Sequence, residues 1–199
     1  RDFTDKLIKT IATSNKVCDH FHLPIQSGSN RILKKMNRGY SREFYLDLVG
    51  RIYETIPHAT ITTDIIVGFP GETEEDFLET LDVVKKAQFD SSFTFLYSPR
   101  QGTPAANWEQ VEEEVKKNRF KQLLEIQNRI SLEKNRKTIG QVEKVYVEGI
   151  SKTNPNRLSG RTEGNKIVIF EGPEDLTGQI INIKILEAQT WSLFGQLEQ

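Results

Sequence analysis

The sequence predicts an α/β domain built on a parallel sheet, followed by a small all-β barrel. Strand-like and helix-like runs alternate from residue 1 to about 138, which is typical of parallel strands joined by crossover helices. From residue 139 to residue 199 the helical periodicity stops, and short alternating runs are separated by Gly, Asn and Pro turns. We therefore predict two domains, residues 1–138 and residues 139–199.

Three strands are predicted in the first domain: the apolar run Phe21–Ile25, the β-branched run Thr60–Val67, and Ser92–Tyr97. Between them, Asn30 and Ser41 are predicted helix caps, Thr73 is predicted to begin another helix, and a long helix is predicted over residues 111–137. Closing a barrel of this class takes about eight strands. The domain is therefore either a small open sheet or part of a larger barrel whose beginning is missing. We favour the larger barrel, because an open sheet leaves its edges exposed.

Four strands are predicted in the second domain. They are a strand through Val142, Val145 and Val147, and the runs Lys166–Phe170, Gln179–Leu186 and Thr190–Leu197. Asn154-Pro155-Asn156 and Ser159-Gly160 are predicted turns. Several short strands without a helix are typical of a small antiparallel barrel.

Composition excludes several classes of protein. No apolar run approaches the length of a membrane span, which predicts a cytoplasmic protein without a membrane partner. The single cysteine, Cys18, excludes an internal disulfide, a multi-cysteine zinc site and a self-contained iron–sulfur site. Arg1 is not an initiator methionine, so we expect a fragment of a longer chain.

Candidate functional groups follow the three predicted strands of the first domain, in the loops His22–Ser29, Val67–Thr73 and Tyr97–Pro104. Loops after parallel strands meet at one edge of the sheet, and their glycines let backbone amides approach a ligand. They offer amide, hydroxyl, carboxylate and guanidinium groups. This chemistry suits a nucleoside that carries an amino-acid tail.

Each of these features also has a structural interpretation. Gly68–Gly71 is either a ligand loop or only a tight turn, and Gln26–Ser29 is either a ligand loop or helix-capping chemistry. Arg100 is either a ligand contact or a surface residue. Asp64 lies within an apolar strand, so it needs either a buried partner or a ligand. The histidines lack metal-ligand neighbours, and we assign them no catalytic role: His20, His22 and His58.

The second domain contains a local basic segment although it is acidic as a whole, with six basic and eight acidic residues. Between residues 151 and 166 the basic residues are Lys152, Arg157, Arg161 and Lys166, against Glu163. RNA binding here would depend on this local excess. Trp191 and Phe194 have rings that stack on bases. At this spacing in a strand they point to opposite faces, so we expect at least one of them in the core.

Together these segments resemble the radical S-adenosylmethionine (SAM) methylthiotransferases. The resemblance is carried by His22–Ser29 with Met36–Gly39, by Thr63–Thr73 and by Phe95–Thr103. The ending Ala188–Gly195 is similar to that of the tRNA member that acts on isopentenyl-adenosine next to the anticodon. The resemblance covers essentially the whole chain.

The resemblance implies that the first domain is a partial parallel (βα) barrel of the radical SAM type, formed by the later strands of that barrel. It implies that the second domain is a TRAM domain, an OB-like RNA-binding barrel. The intact enzyme would carry two [4Fe–4S] clusters. One would cleave SAM to a 5′-deoxyadenosyl radical that abstracts hydrogen from the adenine C2, and the other would support delivery of the methylthio group. The CxxxCxxC motif is absent from this sequence, so we expect the fragment to be inactive alone.

The resemblance also implies roles for individual residues. Gln26, Ser27 and Asp64 would contact the ribose or amino-acid part of SAM, and Gly68 would let the adenine pack against the backbone. Tyr97 and Arg100 would face the substrate nucleotide or the cofactor carboxylate. The tRNA-binding candidates are Lys152, Arg157 and Arg161.

The implied partners are a tRNA anticodon stem-loop, SAM and the missing N-terminal part of the same polypeptide. Three alternatives remain open. The substrate would be threonylcarbamoyl-adenosine in tRNA, or an aspartate of a ribosomal protein, or the chain would act only as an RNA-binding module.

Overall fold

The computed structural model describes residues 3–198, which form two compact units. The first unit comprises the described residues through Ser14 and Phe21–Ile130, and the second comprises Asn15–His20 and the described residues from Ser131 onward. The α-helices are α1 (Asp5–Ala12), α2 (Asn30–Lys35), α3 (Arg42–Thr55), α4 (Glu74–Ala87) and α5 (Glu113–Arg136). The β-strands are β1 (His20–His22), β2 (Thr60–Val67), β3 (Ser91–Leu96), β4 (Val142–Ile150), β5 (Leu158–Thr162), β6 (Ile167–Phe170), β7 (Ile180–Ala188) and β8 (Leu193–Leu197). The domain boundary at residues 138–139 stays a prediction.

The first unit contains the parallel sheet that the sequence predicts. Its strand order is β1-β2-β3, and β2 and β3 run parallel, with Asp64 beside Phe93 and Val67 beside Leu96. One face of β2 is buried with the residues of α3 and α4 in a single hydrophobic core, because Ile61, Ile65 and Val67 point to that side. The opposite face is open, and Phe93 and Phe95 on it are 57% and 52% exposed.

Side chains define where the helices begin. Ser41 caps α3 as predicted, and Thr73, where the sequence predicts the start of a helix, caps α4. Each hydroxyl accepts a hydrogen bond from a backbone N–H of the first turn. The cap predicted at Asn30 is wrong. Ser29 is the residue before α2, and the Asn30 side chain instead accepts a bond from the Arg42 N–H at 2.7 Å. Asn30 therefore serves the start of α3.

The segment Met36–Gly39 ends α2. Asn37 has a φ of 57°, in the left-handed region that asparagine tolerates. The Asn37 N–H donates to the Lys34 oxygen at 3.0 Å, and the Arg38 N–H donates to the Leu33 oxygen at 2.9 Å. These two bonds form a Schellman motif. The asparagine of the Met36–Gly39 segment is therefore explained by the end of the helix, without reference to a substrate.

The second unit contains a closed five-stranded barrel with the strand order β4-β5-β6-β8-β7. β6 and β8 are parallel, and the other pairs are antiparallel. Alternate residues of each strand fill the interior, as Val145 and Val147 do on β4. This confirms the predicted small all-β barrel, and its shape is OB-like.

Two details of the predicted barrel are wrong. The Ser159-Gly160 segment, predicted as a turn, lies within strand β5. Residue 160 is a glycine because a Cβ there would collide with β4 at Val145 and Tyr146. Glycine here permits close strand approach rather than a turn. Neither Trp191 nor Phe194 is in the core: Trp191 is 73% exposed, Phe194 is half-buried, and Leu193 between them fills the interior.

Candidate functional site

The loops after β1 and β3 meet at the end of β2. Gln26 lies beside Ile65: its N–H donates to the Asp64 oxygen at 2.8 Å, and its oxygen accepts from the Ile66 N–H at 2.9 Å. On the other side, the Tyr97 N–H donates to the Val67 oxygen at 2.9 Å. The structure therefore brings together Gln26 and Tyr97, on either side of the strand that leads to Gly68.

Gln26 is held in a conformation that leaves its side chain available. Its φ of 70° is in the left-handed region, where a non-glycine residue costs about 1–3 kcal/mol. The residue is 8% exposed, yet its amide forms no hydrogen bond with another described residue. Strain of this kind concentrates at ligand sites. The side-chain amide of Gln26 is therefore a candidate ligand contact.

Ser27–Ser29 anchor the loop to α4 rather than capping α2. Ser27 is fully buried and its Oγ accepts from the Ser29 N–H at 3.2 Å. The Gly28 N–H donates to Thr80 Oγ1 at 2.9 Å, and a Cβ on Gly28 would collide with the backbone of α4. The Ser29 hydroxyl donates to Asp76 Oδ1 at 2.6 Å. The cofactor contact of Ser27 stays a prediction.

Asp64 lies on the open face of the sheet, so water or a ligand can reach its carboxylate. His22 Nε2 is 3.5 Å from Asp64 Oδ1, and His22 Nδ1 is 3.0 Å from Thr62 Oγ1. The His22 ring also contacts Phe93 edge-on, with 6.0 Å between ring centroids. His22 thus belongs to the candidate site. Its position in the same loop as Gln26 was the signal in the sequence.

Gly68–Glu72 form a tight turn at the end of β2. Gly68 and Gly71 have φ values of 75° and 78°, and the Glu72 N–H donates to the Phe69 oxygen at 2.9 Å. With Pro70 and Gly71 at its centre, this is the pattern of a type II turn. The Lys116 side chain occupies the space that a Cβ on Gly68 would fill. The predicted adenine contact of Gly68 stays a prediction.

A buried carboxylate supports this turn from behind. Glu72 Oε1 accepts from the Gly68 N–H at 3.0 Å and from Arg119 Nη1 at 3.0 Å. Burial raises the pKa of Glu72 to about 7, although the Gly68 N–H and the Arg119 charge act to lower it. The group that holds the turn therefore titrates near neutral pH.

An aromatic cluster extends from the turn. The Phe69 ring lies 5.1 Å from the Tyr97 ring and 6.0 Å from the Trp108 ring, measured between centroids. Lys35 Nζ is 6.0 Å from the Trp108 centroid, and an open cleft of about 270 Å³ lies between Lys35, Trp108, Pro70, Gly71 and Glu109. Our sequence reasoning missed Lys35 and Trp108, because their proximity depends on the fold.

Arg100 lies in the loop after β3, three residues beyond Tyr97. Its side chain is exposed and forms no ion pair with any residue from 3 to 198. Its backbone oxygen accepts from Thr103, which closes the local turn. The ligand contact of Arg100 stays a prediction.

The basic residues of the barrel point outward, but two are already paired. Arg161 Nε donates to Glu148 Oε1 at 3.0 Å, and Arg157 Nη2 is 3.6 Å from Glu171 Oε1. The Arg157 guanidinium also lies 6.0 Å from the Phe194 ring centroid, beside an open cleft of about 340 Å³. Lys152 is exposed. These pairs reduce the local positive charge that the sequence predicts.

The outer surface of β4 adds an aromatic residue that our sequence reasoning missed. Tyr146 is 51% exposed, and its strand neighbours are Arg161 on β5 and Ile180 on β7. Its position between the buried Val145 and Val147 was the signal, since strand residues alternate between faces. An exposed tyrosine ring can stack on a base, and a neighbouring arginine can add a cation–π contribution.

The comparisons with known proteins cover both units. The profile of the radical SAM superfamily matches residues 1–84, and that of the TRAM domain matches residues 136–197. A tRNA-2-methylthio-N(6)-dimethylallyladenosine synthase from Desulforamulus reducens is 55% identical over 99% of this chain. Synthases of the same name from Moorella thermoacetica and Acetivibrio thermocellus are 54% and 56% identical over 99% of the chain.

The chain is related over 99% of its length to these synthases, and it combines a radical SAM segment with a TRAM domain. It spans 43%, 45% and 41% of the lengths of these three relatives. Coproporphyrinogen III oxidase from Escherichia coli, described as a radical SAM enzyme, has a similar fold, with a TM-score of 0.56 at 14% identity over 82% of this chain and 44% of that one. The α/β unit is therefore part of a radical SAM barrel.

The family implies SAM and an iron–sulfur cluster as cofactors, and the described residues fit only the first. Gln26 offers a free amide and Asp64 a reachable carboxylate, which are partners for the hydroxyls and the amino-acid part of SAM. The thiolates that a cluster requires are absent, because Cys18 is the single cysteine and it is exposed. Across residues 3–198, no group of three or more His, Cys, Asp or Glu is placed to hold a metal ion.

The described helices also bear on membrane association. Within the part of the chain that the structure describes, no helix combines the length and apolar character needed to span a membrane.

Proposed function

We propose that this chain is part of an enzyme that adds a methylthio group to C2 of N6-isopentenyladenosine next to the anticodon of tRNA. The supporting observation is its identity of 52–56% over 99% of the chain to synthases named for that nucleoside. The matched region includes the loops that meet at the end of β2, because it covers 197 of the 199 residues. We also propose a cytoplasmic location, because the proposed substrate is the tRNA anticodon stem-loop.

In this proposal the sheet edge binds SAM, which supplies the radical and the methyl group. The Asp64 carboxylate accepts hydrogen bonds from the ribose hydroxyls, and His22 orients it. The Gln26 amide donates to the amino-acid carboxylate. Tyr97, fixed against Phe69, lies beside the target base. Arg100, three residues after Tyr97, faces the substrate nucleotide or the cofactor carboxylate. Gly68 and Ser27 keep the loop close to the ligand.

We further propose that the remainder of the longer polypeptide supplies the thiolates for two [4Fe–4S] clusters. We expect the purified chain to produce no methylthio-nucleoside when it is incubated with SAM, a reductant and tRNA, because it contains one cysteine. An RNA-binding function without catalysis would then be all that the isolated chain retains. Product formation by the chain alone would contradict this part of the proposal.

The barrel provides the proposed RNA contacts through Lys152, Arg157 and Arg161. Filter binding with tRNA at several salt concentrations tests them. Each phosphate contact contributes about 0.7–0.9 to the slope of log affinity against log salt. Replacing all three by Gln should weaken binding and flatten that slope, whereas Lys85→Gln on α4, which removes an exposed charge from the other unit, should do neither. An unchanged slope in the triple variant would remove these residues from the interface.

Nucleoside mass spectrometry of tRNA from cells that lack the parent gene tests the substrate. We expect the methylthio-isopentenyl-adenosine signal to disappear while the isopentenyl form accumulates. If methylthio-threonylcarbamoyl-adenosine disappears instead, the family assignment stands and the proposed substrate is wrong. If neither nucleoside changes, a ribosomal-protein substrate becomes the better hypothesis.

A further inference from the structure

We infer that the cleft between Lys35 and Trp108 binds one nucleotide of the substrate RNA adjacent to the modified adenosine, with its base stacked on the indole and its phosphate next to Lys35. The inference rests on the proposed function, since it identifies a second subsite for the same RNA. It concerns residues to which our sequence reasoning assigned no role.

The indole is fixed rather than loose on the surface. Gln110 Nε2 donates to the Trp108 oxygen at 2.7 Å and to the Ala105 oxygen at 3.1 Å, which closes the loop around the tryptophan. The buried Phe69 contacts the indole at an interplanar angle of 86°. Trp108 nevertheless remains 39% exposed. A held, partly exposed aromatic surface loses little entropy when a base stacks on it.

Charge in the cleft suits a nucleotide. Lys35 lies at the end of α2, and its ammonium forms no ion pair with another residue in the described part of the chain. Glu109 lines the same cleft and would repel a phosphate, but its carboxylate can accept hydrogen bonds from a base. The phosphate is therefore assigned to Lys35, and the base edge is assigned to Glu109.

The cleft is connected through ring contacts to Tyr97, the residue proposed to face the target base. Phe69 contacts both Tyr97 and Trp108, so the cleft lies two ring contacts away from the residue proposed to face the target base. Its volume of about 270 Å³ is below the range of about 300–1,000 Å³ of pockets that enclose a free small molecule. A single base of a polymer that is anchored elsewhere fits this size better.

Tryptophan fluorescence tests the subsite directly, because Trp108 and Trp191 are the two tryptophans of the chain. In the Trp191→Phe variant, Trp108 is the only tryptophan. We expect an anticodon stem-loop RNA to quench its emission with the same midpoint as filter retention of that RNA. An abasic site introduced at each nucleotide flanking the adenosine should abolish quenching at one position and leave it intact at the others.

Two substitutions in the same Trp191→Phe background separate stacking from charge. Trp108→Ala should weaken binding about 5- to 100-fold, the effect of losing one stacked base, while Trp108→Phe retains most of the affinity. Lys35→Gln should lower the salt slope by about 0.7, and Lys85→Gln serves as the matched control. Circular dichroism confirms that each variant is folded.

The outcomes distinguish the two proposals. RNA that is retained on the filter without any change in Trp108 emission overturns the subsite and leaves the proposed function standing. RNA that is not retained at all overturns the subsite together with RNA binding by this chain. Equal loss of quenching at every abasic position also overturns the subsite, because it indicates a general rather than a local effect.

Discussion

Two carboxylates four residues apart, Glu72 and Asp76, have pKa values that are shifted in opposite directions. Burial of Asp76 acts to raise its pKa, but hydrogen bonds from Arg31, Ser29 and Thr73 outweigh burial and hold the pKa well below its usual range. Glu72 receives only the Gly68 N–H and one buried guanidinium, and its pKa is raised to about 7. The same short segment therefore contains one carboxylate that favours ionisation and one that resists it.

We predict that Glu72→Gln removes a pH dependence of stability near neutrality. The folded state holds the Glu72 proton more tightly than the unfolded state, so wild-type free energy of unfolding decreases as pH rises from about 4.3 to about 7. Urea unfolding at intervals from pH 5 to pH 8 should show a flatter profile in the variant. Glu125→Gln, at an exposed position of α5, is the control and should keep the wild-type profile.

We predict the opposite sign for Asp76→Asn. The ionised Asp76 stabilises the folded state above its unfolded pKa of about 3.9, and this contribution is lost as pH falls through the lower folded pKa. At pH 7 the variant should lose about 1.5–3 kcal/mol in free energy of unfolding, the contribution of a hydrogen bond to a charged group. Its stability should also fall less than that of the wild type between pH 5 and pH 2. A loss that is equal at all pH values would mean that packing, rather than charge, explains the effect.

At the scale of elements, the tight turn after β2 and the helix α3 contain glycines with different roles. Gly68 adopts a positive φ and has Lys116 against it, whereas Gly50 lies within α3 with open space where a side chain would project. The first glycine permits a backbone conformation and a close approach. The second only adds flexibility to the unfolded chain.

These two glycines form a matched pair for substitution by alanine. Gly68→Ala should lower the free energy of unfolding by at least about 1–2 kcal/mol, because alanine is disfavoured in the left-handed region and Lys116 must move. Gly50→Ala should raise it by about 0.5–1 kcal/mol. Chemical denaturation of both variants in parallel measures the difference. Equal effects would show that the turn tolerates a side chain.

Local sequence chemistry predicts much of the fold. The bounds of β2 were predicted correctly, because β-branched residues fill it and Gly68 ends it. The cap at Ser41 and the start of a helix at Thr73 were also predicted correctly, since a capping hydroxyl acts on its own helix. Asn30 and β5 were predicted wrongly. Both depend on a neighbour distant in sequence: Asn30 bonds to the start of α3, and Gly160 of β5 packs against β4.

The candidate site could likewise be predicted only where it does not depend on how individual side chains from distant segments are oriented. Parallel strands must place their following loops together, so the grouping of Gln26 with Tyr97 followed from the order of elements. The His22–Asp64 pair and the Lys35–Trp108 cleft did not follow, because they require the orientation of individual side chains. Roles of single residues stay predictions for the same reason.

At the scale of the whole molecule, each unit has its own hydrophobic core. Because the barrel is closed, each of its strands forms backbone hydrogen bonds with a neighbour on both sides. β8 pairs with β6 and with β7. Independent cores and closed pairing are the conditions under which a segment folds by itself.

We therefore predict that residues 131–199 fold as an isolated polypeptide. Thermal unfolding followed by circular dichroism should show one cooperative transition, and amide NMR signals should be well dispersed. The same segment truncated after Gln189 lacks β8 and should show neither property. A non-cooperative transition in the longer segment would mean that its folding requires the α/β unit.

Closure by β8 has a consequence for the timing of biosynthesis. The strand that joins β6 to β7 is the last of the barrel to leave the ribosome. At about 5–20 residues per second, the nine residues from the end of β7 (Ala188) to the end of β8 (Leu197) take roughly 0.5–2 s to synthesise. During this interval β6 and β7 carry unpaired edges that a neighbouring nascent chain can pair with. Until β8 is complete, the nascent barrel is therefore open to strand pairing with neighbouring chains.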